Sequence, residues 1–67
     1  MEECIYARKI DGEIIQTAVL RLLGTGRYAF ETSLFGQKYV LNMNMPLFDT
    51  KQDARQWIEG LNDWNLL

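Results

Sequence analysis

Sixty-seven residues, with 48% hydrophobic and 12% aromatic content and a net charge of −2, describe one small globular domain over residues 1–67. The single cysteine, Cys4, excludes an intramolecular disulfide, and the lack of histidine removes the commonest zinc sites and every Ser-His or Cys-His nucleophile. A domain this short buries only about 60% of its unfolded surface, so a partner or a second copy is the staple left to it.

The opening Met1-Glu2-Glu3 has no basic segment and leads into no long apolar run, so no signal peptide is expected. The stretch Ala18–Leu23 is too short to span a bilayer and is broken by Arg21. One unpaired cysteine suits a reducing compartment, and the expected location is the cytoplasm, with no membrane partner.

Cys4 to Ile10 reads as a strand, closed by the turn pair Asp11-Gly12. Residues 13–23, EIIQTAVLRLL, fit two patterns. As a helix they place Ile14, Ile15, Ala18, Val19 and Leu22 on one face before Gly24. As a strand they offer a β-branched run ahead of the Gly24-Thr25-Gly26 turn, and the preceding Asp-Gly favours this. Tyr28, Phe30 and Thr32 alternate with Arg27, Ala29, Glu31 and Ser33. Tyr39, Leu41, Met43 and Met45 alternate with Lys38, Val40, Asn42 and Asn44, and Gly36 suits a hairpin between these two strands. Pro46 ends the second. Ala54, Trp57, Ile58, Leu61 and Trp64 then recur at helical spacing, with Thr50, or Asp49 in its place, as N-cap and Asp53 in the first turn. Trp57 and Trp64 belong to the core on this spacing, while Tyr6 and Phe35 are the aromatics open to exposure. The expected fold is α+β: an antiparallel sheet of three to four strands packed on one C-terminal helix, with residues 13–23 open to a helical alternative.

With the helix on the Tyr28, Phe30, Tyr39, Leu41 and Met43 side, the opposite sheet face holds Arg27, Ala29, Glu31, Lys38, Val40, Asn42 and Asn44. Val19, Arg21 and Leu23 join it if 13–23 is a strand. That face is mixed and locally positive, and its apolar centre at Val19, Ala29 and Val40 leaves a homodimer open. The acidic excess lies elsewhere: residues 41–67 carry Asp49, Asp53, Glu59 and Asp63 against Lys51 and Arg55. The helix stripe Asp53, Gln56, Glu59 and Asp63 is therefore a docking candidate for a protein with a basic surface. The carboxylates are scattered, no phosphate loop is present, and Cys4 beside two acids is poorly placed to be a nucleophile. No catalytic residue, metal site or cofactor is expected, so the chain reads as a non-enzymatic interaction module.

Residues 19–62, about two-thirds of the chain, run strand, glycine turn, hairpin, then Phe48-Asp49-Thr50-Lys51-Gln52-Asp53-Ala54 at the head of the helix. The Phe-x-Thr-x-x-x-Ala segment resembles the three-strand-plus-helix DNA-binding domain of plant ethylene-response factors, and is similar to the arm-binding domain of phage-type tyrosine recombinases. The resemblance implies a sheet that enters the major groove with the face away from the helix. It nominates Arg21, Arg27 and Lys38, then Asn42 and Asn44, as nucleic-acid contacts. In size and charge the chain also resembles small inhibitors encoded by phages and mobile elements, anti-CRISPR and other anti-defence proteins among them, which act on nucleic-acid-handling complexes.

Overall fold

A computed structural model describes residues 5–67. Five strands and one helix follow in the order β1 (Ile5–Ile10), β2 (Glu13–Leu22), β3 (Tyr28–Leu34), β4 (Val40–Leu41), α1 (Lys51–Glu59) and β5 (Trp64–Leu66). The strands form one antiparallel sheet in the order β4-β3-β2-β1-β5. The α+β class and the C-terminal helix are as the sequence indicates, but the sheet has five strands rather than three or four. Cys4 lies outside the described residues.

Residues 13–22 form a strand. The reason is the Asp11-Gly12 turn, whose two residues both take positive φ, 52° and 82°. Two such residues match the natural twist of a two-residue hairpin and bring β2 back along β1. β2 is then paired on both sides, Tyr6↔Ala18 with β1 and Leu20↔Phe30 with β3, and this cross-strand pairing outweighs its helical periodicity.

The helix begins where expected. Thr50 caps it with its hydroxyl, which accepts from the Asp53 amide at 3.1 Å. It ends at Glu59, earlier than the apolar spacing implies. Gly60 favours the helix weakly, and the chain turns through 60–63 so that Trp64 pairs with Arg8 in β5. Trp64 is thus a core residue, but it reaches the core from a strand.

The core lies between the helix and one sheet face. Tyr6, Ala18, Phe30 and Trp64 from the strands meet Ala54 and Ile58 from the helix, with Leu20, Met45, Phe48, Trp57 and Leu61 packed around them. Ala18 and Ala54 are fully buried, and their small side chains let the helix lie close to the sheet. Phe30 is the hub: its ring centroid lies 6.3 Å from Tyr6, 6.0 Å from Phe48 and 6.2 Å from Trp57. Tyr6, a candidate for exposure, is fully buried instead, because its ring stands on the sheet face under the helix, edge-on to Phe30, with its hydroxyl on Glu59.

Candidate functional site

Three surfaces compete for a role. The first is the sheet face away from the helix. Pairing places Val19 opposite Glu31 and Arg21 opposite Ala29, so these four share that face as expected. The segment 38–44 is placed differently. Val40 pairs with Thr32 and lies on the helix side; Leu41 pairs with Glu31 and lies on the far side. Tyr39 also turns to the far side, where its hydroxyl bonds the Thr17 hydroxyl at 2.8 Å. A one-residue change of phase moves every side chain of a strand to the other face. The ladder that sets the phase here is only two residues long.

The proposed nucleic-acid contacts are therefore not gathered. Arg21 donates through Nε to Glu31 at 2.9 Å, a diagonal pair across β2 and β3. Arg27 precedes β3 and lies 3.6 Å from Asp49. Lys38 sits in the loop before β4. The Asn42 side chain donates through Nδ2 to Thr32 Oγ1 at 3.3 Å and accepts through Oδ1 from the Asn44 backbone N–H at 2.9 Å, so this asparagine shapes the turn after β4. The loop between β3 and β4 also folds onto the far face, where the Ser33 hydroxyl donates to the Gln37 carbonyl.

The second surface is the helix stripe. Asp53 and Gln56 are exposed on it. Glu59 accepts from the buried Tyr6 hydroxyl at 2.6 Å and lies 3.6 Å from Arg55. Asp63 lies beyond the helix, 3.7 Å from Arg8. Two of the three carboxylates thus serve the fold. Glu59→Lys would disturb the core as well as the surface. Glu59→Ala should cost about 1.5–3 kcal/mol in urea unfolding, the worth of a hydrogen bond to a charged group, while Glu59→Gln should cost less. A Glu59→Ala midpoint equal to wild type would show the bond to be idle.

The third surface was not singled out by residue type. From Thr32 to Phe48 the only charged residue is Lys38, although 24% of the chain is charged. In the structure this segment forms one edge of the sheet and its flanking loops. Leu34, Phe35, Val40, Leu41, Met43 and Leu47 are 41–82% exposed along it. Phe35 has φ 53°, a left-handed conformation that bulky side chains rarely adopt, followed by Gly36 at 73°. Its ring borders a shallow groove of about 250 Å³ with Ile14, Ile15, Thr17 and Ser33. The signal that could have found this surface is the missing charge, since turns and edge strands are normally its richest places.

Among the described residues, no helix is long and apolar enough to cross a membrane. No protein-family model, curated protein or solved structure matches this chain.

Proposed function

We propose that this chain is a non-enzymatic protein-interaction module that docks through the charge-poor edge from Leu34 to Leu47. The observation that carries the reading is six large apolar side chains exposed along one edge in a segment with one charge. Large apolar side chains left exposed together in one charge-poor segment are a mark of interaction sites. The left-handed Phe35 strengthens it, because strained backbone persists where a site needs it. Occlusion is the mode of action that suits such a module: it covers a surface on another protein, as an inhibitor of a nucleic-acid-handling complex would.

The geometry lends less to a DNA-reading sheet. Arg21 and Arg27 each face a carboxylate, and affinity for a duplex rises with the number of phosphates neutralised. Docking through the helix is also less favoured, because Glu59 and Asp63 are already engaged.

The test is capture of a tagged chain's partner from its source cell. The double variant Phe35→Gly, Met43→Glu should lose the partner. Its stability should stay within about 0.5 kcal/mol of wild type, since both side chains are exposed and glycine tolerates the Phe35 backbone. Gln56→Lys should retain the partner. Capture kept by the double variant and lost in Gln56→Lys would move the site to the helix. Capture kept by both, together with duplex-induced amide shifts at Arg21 and Arg27 at low salt, would move it to the sheet.

A further inference from the structure

We infer that the occupant of the β4 edge is a second copy of this chain, paired antiparallel about Val40. The inference rests on the docking edge proposed above and names what covers it.

The phase of the β3–β4 ladder carries it. The Asn42 amide donates to the Phe30 carbonyl at 3.0 Å, and Val40 faces Thr32. In an antiparallel ladder, bonded and non-bonded pairs alternate, so Val40 and Asn42 turn their backbone groups inward to β3. Tyr39 and Leu41 turn theirs outward. The outward donors and acceptors are therefore symmetric about Val40. A second copy related by a two-fold axis through Val40 meets them in register: Tyr39 opposite Leu41 of the second copy, and Leu41 opposite its Tyr39. Each pair exchanges two hydrogen bonds, and no other register centred on this short strand uses both residues of both copies.

The side chains agree with that register. The two Val40 residues meet on the axis, a β-branched pair on the helix side of the joined sheet. On the far side Leu41 of each copy falls opposite the backbone of Tyr39 of the other, whose ring stays on its own sheet at Thr17. Lys38 falls opposite Asn42, so neither like charges nor an unpaired carboxylate are brought together. The self-pairing is isologous and closed, which stops at a dimer.

Size points the same way. Among the described residues the largest fully buried side chains are Tyr6, Phe30 and Ile58, a small core for a chain of 67 residues, and a second copy on this edge adds burial at Val40 and Leu41, which are 59% and 41% exposed.

The test is the solution mass by sedimentation equilibrium, from micromolar to near-millimolar protein. The wild type should rise to twice the mass of the single chain. Val40 is 59% exposed, so Val40→Lys and Val40→Glu leave the fold intact, as amide spectra away from β4 will check. Each variant alone should lose at least tenfold in association, because like charges face each other on the axis. An equimolar mixture of the two should recover the double mass. A wild type that keeps the single mass overturns the inference. So does a Val40→Lys chain that still doubles. If the wild type keeps the single mass while Phe35→Gly, Met43→Glu still loses a captured partner, the second copy falls and the docking edge stands.

Discussion

Phe30→Ala is expected to remove about 3–5 kcal/mol, a large share of the chain's stability. Phe30 is fully buried at the centre of β3 and touches the rings of Tyr6, Phe48 and Trp57. Those three contacts join β1, the segment before the helix, and the helix itself to one side chain. Truncating a buried phenylalanine costs about 3–5 kcal/mol, from lost transfer energy and from the cavity left behind. A 67-residue domain has roughly 3–10 kcal/mol in total, at about 0.05–0.15 kcal/mol per residue. The loss is therefore about a third of the stability or more. Urea unfolding followed by tryptophan fluorescence will show it as a missing or strongly shifted transition. A cooperative transition within about 1 kcal/mol of wild type would mean that the ring contacts do not organise the core.

Trp64→Ala should cost about 3–5 kcal/mol as well, but with a different local signature. Trp64 is 7% exposed and begins β5, opposite Arg8, whose guanidinium carbon lies 6.0 Å from the indole centroid. β5 is three residues long and is held by its pairing with β1 and by this one anchored ring. Without the ring the strand should detach and expose the β1 edge. Hydrogen exchange should then speed up first at the β1 and β5 amides, ahead of those between β2 and β3. Uniform loss across all strands would show β5 to be part of a single cooperative unit instead.

What was legible in the sequence follows from how many residues enforced each feature. The helix start was legible because Thr50, Asp53 and the spacing of Ala54, Trp57 and Ile58 agree. The faces of β3 were legible from the alternation of Tyr28, Phe30 and Thr32 with Ala29, Glu31 and Ser33; those of β2 followed only from the strand alternative for residues 13–23, because the same apolar residues also fit a helical period. β5 was not. Trp64 fits the helical period of Trp57 and Leu61, and a three-residue strand has too little pattern of its own to compete. The phase of β4 was not legible either. The alternation from Lys38 to Met45 spans eight residues, but only Val40 and Leu41 pair, and Tyr39 is drawn across the far face by Thr17. Of the residues put forward for docking, Asp53 and Gln56 are exposed on the helix as the spacing requires. Glu59 looked equally free, because nothing local to it shows that Tyr6, fifty-three residues away, donates to it. The apolar edge was legible only as an absence of charge between Thr32 and Phe48, a property of the segment and of no single residue.

The central claim is that contacts form at the edge around β4. Site-specific photocrosslinking in the source cell tests it most directly, with a photoreactive residue at Met43, which is 82% exposed on the edge, and a matched one at Gln52 on the helix. The account predicts adducts from position 43, at twice the chain mass for a second copy or at a larger discrete mass for another protein, and none from position 52. Adducts from position 52 alone would contradict it and place the contact on the helix.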